Sequence, residues 1–335
     1  MLAAAAGAVL LVVAGYAAFW YYEASRVRAG IALFIEGRGA HGMAIRSDSL
    51  TIGGFPFQLE AAFGGLTIDG LPYARQAHIE SPVLVAHARP WDPGSWRFEA
   101  AKGFTLSVAL PDGSTVASSA GDARGRADAD PEKLVIRIDS HDLAWQLGGA
   151  TTAAAHLSLQ LSLPYRPPED HAAPSLGFAA VIDGVALPGG IGPKDSRANE
   201  LAVDGVVEGP VPEQPLRQAL TAWRESGGTI ELHRVALHWG AIDLVGDGTL
   251  TLNGDLQPEA AFTGHIRGWD ALLDGFVQAG TMTAPEAANA RLGLGLLTRV
   301  APDGHSELRA PITLQNEQVY LGPAKIAKLR PIPWQ

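Results

Sequence analysis

The sequence predicts an α+β chain that is mostly antiparallel β. An N-terminal transmembrane helix leads into a many-stranded curled sheet or sandwich, with a few helices late in the chain. Three observations predict it. Residues 1–22 carry no charged side chain. From Met43 onward, apolar residues recur at alternate positions in short runs about ten residues apart, punctuated by Gly and Pro. After Pro215, and again from Trp269, the period becomes helical.

The first element is Met1–Tyr22. At about 1.5 Å of rise per residue such a helix reaches about 33 Å, enough to cross the hydrocarbon core of a bilayer. Phe19, Trp20, Tyr21 and Tyr22 close the run, where aromatic rings favour the membrane–water interface. The alternative is a cleaved signal peptide, which wants a basic start, a shorter apolar core and a small-x-small cleavage site. No Lys or Arg precedes this run and it ends in four bulky rings. An uncleaved anchor is therefore expected, and the missing basic residues fit a true start upstream of Met1. Arg26 and Arg28 follow the span, but Glu23 dilutes them, so they do not settle its orientation.

Glu23–Glu36 is expected to continue as a helix, with Val27, Ile31, Phe34, Ile35 and, more loosely, Leu33 on a partly apolar face, until Gly37, Gly39 and Gly42 break it. The expected organisation is an anchor over 1–22, a juxtamembrane helix and linker over 23–42, and a mostly β extracytoplasmic domain over 43–335. The Pro-rich loop at 164–176 is a candidate internal boundary. Within the β domain, Gly53–Phe63 reads as one alternating strand, with Phe55, Phe57, Leu59 and Ala61 on one face and Pro56 marking an end, edge or bulge. Phe104–Leu110 alternates into the turn Pro111-Asp112-Gly113. The clearest strand is His156–Leu163, with Leu157, Leu159, Leu161 and Leu163 on one side and His156, Ser158, Gln160 and Ser162 on the other. Pro188–Asn199 reads as a second loop. A helix over Leu216–Glu225 precedes strands at Gly228–Gly240, Ala241–Gly246, Gly248–Asn253 and Pro258–Arg267. Trp269, Leu272, Leu273, Phe276 and Val277 form a helical stripe. Thr283-Ala284-Pro285-Glu286 is a capping box opening a second helix that runs to about Thr298. A hairpin over Ser306–Leu314 and Gln318–Ile326 closes the chain.

Composition limits the function classes. The 335 residues carry a net charge of −10, which argues against nucleic acid and against electrostatic docking on anionic lipid. With no cysteine, disulfides, thiolate nucleophiles and Cys-ligated metals are excluded. Nucleophile-elbow, Walker and zincin patterns are absent. His233 and His238 are five apart on a strand, on opposite faces unless a bulge intervenes. Asp122, Asp128 and Asp130 alternate with Arg124 and Arg126, which suits a solvated loop better than a calcium loop. Glu231, Asp243 and Asp247 are a candidate carboxylate group on neighbouring strands, although exposed strand carboxylates are commoner. Arg89-Pro90-Trp91-Asp92-Pro93 reads as a stiff turn with Trp91 packed on the core. No catalytic, cofactor-binding or metal-ligating residue is assigned, no cofactor is expected, and the chain is not expected to be an enzyme.

Several segments together resemble a known family. An N-terminal span ending in aromatics, then Gly53-Gly54-Phe55-Pro56-Phe57, then Pro82–Pro93, then Val319-Tyr320-Leu321-Gly322-Pro323 are similar to the domain of unknown function 2125. The resemblance implies a single-pass anchor in a bacterial inner membrane, a periplasmic domain and no assigned activity. Gly228–Ile266 is more loosely similar to AsmA-like envelope proteins, whose curled sheets hold acyl chains. The function expected is an envelope protein that binds or handles lipid in an apolar β groove rimmed by Phe55, Phe57, Leu59, Leu157, Leu159 and Leu161. The alternative is a structural or protein-interaction domain with a closed core and no ligand, whose partners are envelope proteins; an envelope hydrolase is more remote. The membrane itself is the expected partner of residues 1–22.

Overall fold

A computed structural model describes residues 2–39, 42–71, 74–109, 115–147, 150–186, 197–278, 280, 282–300, 306–322, 324–332 and 334. The expected Pro111-Asp112-Gly113 turn and most of the Pro188–Asn199 loop lie outside them. The chain forms two compact units, Met1–Asp130 and Pro131–Gln335.

In the first unit, α1 runs unbroken over Leu2–Gly39. Gly37 and Gly39 sit inside its last turn rather than ending it earlier. The sheet has five rows, each antiparallel to the one before it. The rows are β1 (Ala44–Arg46) with β2 (Ser49–Gly53); β3 (Leu59–Leu71); β4 (Ala74–Arg89); β5 (Asp92–Ala100) with β6 (Phe104–Ala109); and β7 (Thr115–Ala120) with β8 (Asp122–Ala129). Asp122–Ala129 is thus a strand, not the solvated loop expected; Arg124 pairs with Asp122 and Arg126 with Asp128 along it. The irregularities fall in line across the sheet: Ser47–Asp48, Gly65, Pro82, Ala101–Gly103 and Gly121. Pro82 cannot donate to a ladder. Gly103 has φ +71°, and a Cβ there would lie 1.9 Å from the Ala120 carbonyl oxygen, so no larger residue fits. The result is a crease running across all five rows.

One face of this sheet carries α1. Trp20, Ala24 and Leu59 are buried together, with Val27, Ile52 and Trp96 packed around them. The Trp20 indole N–H donates to the Gln58 carbonyl at 2.7 Å, and the Tyr16 hydroxyl donates to the Pro56 carbonyl. The Gly54–Gln58 segment is a turn and β3 begins only at Leu59. The single alternating strand expected over Gly53–Phe63 is therefore corrected: Phe55 and Phe57 stand on the turn, while Leu59 and Ala61 keep their buried face.

The second unit is also an antiparallel meander. It runs β9 (Lys133–Leu147), β10 (Ala150–Pro164), β11 (Pro174–Ala186), β12 (Arg197–Glu208), β13 (Thr229–Trp239), β14 (Ile242–Leu252) and β15 (Pro258–Arg267). β14 is one strand where two short ones were expected. The Pro-rich segment at 165–173 joins β10 to β11 within this unit. After β15 come α3 (Trp269–Gln278), α4 (Ala284–Gly295) and β16 (Thr298–Val300). β17 (Ser306–Gln315) then pairs with β15 on one side and with β16 and β18 (Gln318–Leu321) on the other; β19 (Ala324–Lys328) follows β18. Between β12 and β13 lies α2 (Leu216–Glu225).

Directly opposed residues share a face. Ile182, Leu201, Leu237, Leu244, Ile266 and Leu308 form one apolar row across six strands. The α3 and α4 helices and Met282 between them cover it: Trp269, Leu273, Met282 and Leu294 cluster with Ile266 and Leu308, while Leu272, Leu201 and Leu237 pack against the cluster of Trp239 and Ile242. α2 seats Trp223 on Leu252 and Leu256, and its indole N–H donates to the Glu208 carbonyl at 2.6 Å.

Candidate functional site

Beside the Trp20 cluster, α1 and its sheet border a cavity of about 530 Å³. α1 supplies Val27, Ile31, Phe34 and Ile35, which recur at helical spacing. The sheet supplies Ile45, Ala61, Phe63, Leu66, Ile68, Ala86 and Trp96. On β3 the alternation Ala61, Phe63 resumes one residue late as Leu66, Ile68. The crease at Gly65 explains this: the backbone there turns through φ +58°, and β4 shifts in step at Pro82, so the register survives while the side-chain phase flips. Charge enters the lining only through Glu23 and Arg26, which form a 3.3 Å ion pair. Such a volume lies within the range of about 300–1,000 Å³ usual for small-molecule sites, and its lining is apolar with few polar groups, as those sites are. The arrangement can hold a flexible hydrocarbon. It offers no nucleophile and no acid–base pair.

The residues expected to rim a groove fall in different places. Leu59 is fully buried beneath Trp20, while Phe55 is 49% exposed and Phe57 69% exposed. Leu157, Leu159 and Leu161 belong to the second unit. There they oppose Ile182, Ala180 and Phe178 of β11 and Ser140, Ile138 and Ile136 of β9, all partly buried apart from Ser140. The α1 half of the cavity was visible as the face Val27, Ile31, Phe34, Ile35. The sheet half was missed, because Phe63 and Ile68 fall out of phase with each other in the sequence.

The polar face of the second unit gathers histidines and carboxylates. His156, Asp183, Glu200, His238, Asp243 and Arg267 form a cross-strand row. His156 Nδ1 lies 3.0 Å from Asp183, and His238 Nδ1 lies 3.2 Å from Asp243. A bulge between Leu232 and Val235 brings His233 to the face of His238, where its Nδ1 is 3.2 Å from Asp204. Next to this row, His265 donates to Glu307 at 2.8 Å. That hydrogen bond, followed by Arg267, holds the Glu307 carboxyl below its ordinary value against the opposing effect of desolvation. Glu231, Asp243 and Asp247 are not gathered: Glu231 stands opposite Thr249, six residues along β14 from Asp243. Among the described residues no group of three or more His, Asp or Glu is placed to hold a metal ion. These are polar side chains paired across strands on a partly exposed sheet face.

α1 contains a stretch, Ala8–Gly39, long and apolar enough to cross a membrane, and few of its residues are buried. A family model described as an uncharacterized protein conserved in bacteria (DUF2125) matches residues 20–330. No curated protein matches the chain.

Proposed function

The chain belongs to the DUF2125 family of uncharacterized bacterial proteins, and from that premise we propose that it is a single-pass inner-membrane protein whose periplasmic domain takes the acyl chain of a membrane lipid into the cavity between α1 and the β1–β8 sheet. The observation that carries this reading is the wall of that cavity. One side is the continuation of the same helix that is apolar enough to span a bilayer. An acyl chain leaving the membrane along α1 passes the Glu23–Arg26 ion pair and then meets Val27, Ile31 and Phe34; each methylene held there rather than in water is worth about 0.8 kcal/mol.

The test uses the full chain in vesicles that contain a phospholipid with a photoreactive group at the end of one acyl chain. Labelling is expected on β3 and on Val27–Ile35. Labelling confined to Leu2–Tyr22 would show that the chain ends stay in the bilayer and would end the proposal. Gly30 lines the cavity and a Cβ there meets nothing within 4 Å. Gly30→Leu should therefore fill the space, strengthen the helix by about 0.8 kcal/mol and suppress the β3 label.

A further inference from the structure

The cavity just described lies on the α1 face of the first unit's sheet. A second cavity, of about 540 Å³, lies on the other face at one end, where the Gly54–Gln58 turn meets the turn between β4 and β5. Its lining differs in kind: His87, Arg89, Arg97 and Arg126, flanked by the rings of Phe57 and Trp91. The only acid in the lining is Asp92. In a chain of net charge −10, this is a local reversal of sign.

The register makes the reversal costly. Glu60, His87, Arg97 and Arg126 stand directly opposite one another on β3, β4, β5 and β8. Like charges opposed in this way destabilise a sheet. Arg126 is paired, through its Nε, with Asp128 at 2.6 Å. Arg97, beside it, has no ion pair among the described residues. Neither has Arg89, although Asp92 stands opposite it in register. The His87 Nδ1 is buried without a hydrogen bond, its nearest carboxylate being Glu60 at 3.6 Å. An anion between Arg97 and Arg126 would relieve the repulsion and receive bidentate, charge-assisted hydrogen bonds.

The position indicates where the anion comes from. The Gly54–Gln58 turn is tied to the apolar helix through Tyr16 and Trp20. Phe55 packs edge-on against Trp20 at 5.5 Å and stacks on Tyr21 at 6.2 Å. Phe57 and Trp91 point outward from the same end of the sheet, and Trp91 is 56% exposed. It is therefore not packed on the core as its stiff turn suggested; Pro90 is the buried residue of that turn. Exposed aromatic rings beside a membrane span mark the interfacial layer, and headgroup phosphates lie in that layer.

The geometry points to a phospholipid headgroup site: Arg97 and Arg126, assisted by Arg89, bind the lipid phosphate while Phe57 and Trp91 enter the boundary between headgroups and acyl chains. This rests on α1 spanning the membrane, and not on the acyl cavity across the sheet.

The full chain in a nonionic detergent is titrated with dioleoyl phosphatidylglycerol, with dioleoylglycerol, and with inorganic phosphate, and binding is read by native mass spectrometry. Phosphatidylglycerol is expected to bind about tenfold more tightly than dioleoylglycerol, and inorganic phosphate alone only weakly. Arg97→Gln with Arg126→Gln should abolish the preference. Because it also removes an opposed pair of cations, that variant is expected to melt no lower than the unsubstituted chain; Arg89→Gln, on the turn, is a second probe that disturbs no ladder pairing of like charges. Equal binding of the two lipids, unchanged preference in both Arg variants, or phosphate binding as tight as phosphatidylglycerol would each overturn the proposal. Gly30→Leu, which fills the acyl cavity, should leave the ratio of the two lipids unchanged, so the two sites fail separately. Membrane fractionation of the full chain reads the anchor independently.

Discussion

Glu307 shows how a single side chain can tie strand ends together. It accepts from His265 and from Arg267 of the neighbouring strand, and the carboxyl is held below its ordinary value. A carboxylate whose folded-state value is depressed adds stability above the unfolded value and loses it as the pH falls through the folded one. Glu307→Gln is therefore expected to lower the melting temperature at neutral pH. The difference from the unsubstituted chain should shrink as the medium is acidified below the ordinary glutamate range. A gap that stayed constant with pH would assign the loss to packing. At this scale the sequence was informative about residue type but not about partner. Leu59 was legible as an inward residue. Phe57 and Trp91 were not legible as outward ones, because a large ring in a Gly- or Pro-bounded segment packs inward in most settings.

The elements were more legible than their junctions. α2 and α3 coincide with the helices read from the sequence, because helical stripes of Leu and Trp at i, i+3 and i+4 have no competing explanation. α4 begins where its capping box puts it: the Thr283 hydroxyl accepts from the Glu286 N–H at 3.4 Å, and the Glu286 carboxylate accepts from the Thr283 N–H at 2.8 Å. The Thr283 hydroxyl also donates to the Glu286 carboxylate at 2.7 Å, and this bond, followed by the one from the Thr283 N–H, holds the Glu286 carboxyl below its ordinary value. Thr283→Ala should cost about 1 kcal/mol, read as a lower denaturation midpoint, with faster amide exchange in the first turn of α4 than in α3. Equal protection of the two helices would show that packing on Ile266 and Leu308 holds α4 without its cap. α4 ends at Gly295 and not near Thr298, because Thr298 is taken by β16, whose pairing depends on β17 and leaves no local trace. The crease through Gly65 and Pro82 was illegible for the same reason. It shows in the sequence as a phase error in one strand, and becomes a feature only when the neighbouring strands repeat it.

At the scale of the whole molecule, α1 belongs both to the apolar N-terminus and to the first unit. The turns that cover Leu59 begin within the stretch that is apolar enough to span a bilayer. The fragment beginning at Ala17 keeps Trp20, Ala24 and Val27 over the sheet and is expected to fold in water. One beginning at Ser25 uncovers Leu59 and Ile52 and should be less stable by about 3 kcal/mol or more, the scale of losing a buried Trp, with increased binding of a hydrophobic dye. Identical melting of the two fragments would show that the Trp20 cluster adds nothing to the fold. The general class, an apolar helix followed by antiparallel sheet, was legible because period-two alternation survives without knowledge of partners. The two cavities of the first unit were not, because each is lined by several elements that are separate in the sequence.

The meander has a further consequence for how the chain is made. Within each unit, nearly every row of strands pairs with the row just before it. The main exception is β17, which reaches back across α3, α4 and β16 to β15. Ladders between sequence neighbours close short loops and cost little chain entropy. A polypeptide made N-terminus first can therefore zip up each hairpin as its second strand appears. The last wait is for β17, whose arrival brings Leu308 beneath Trp269 and Leu273 and closes the C-terminal core.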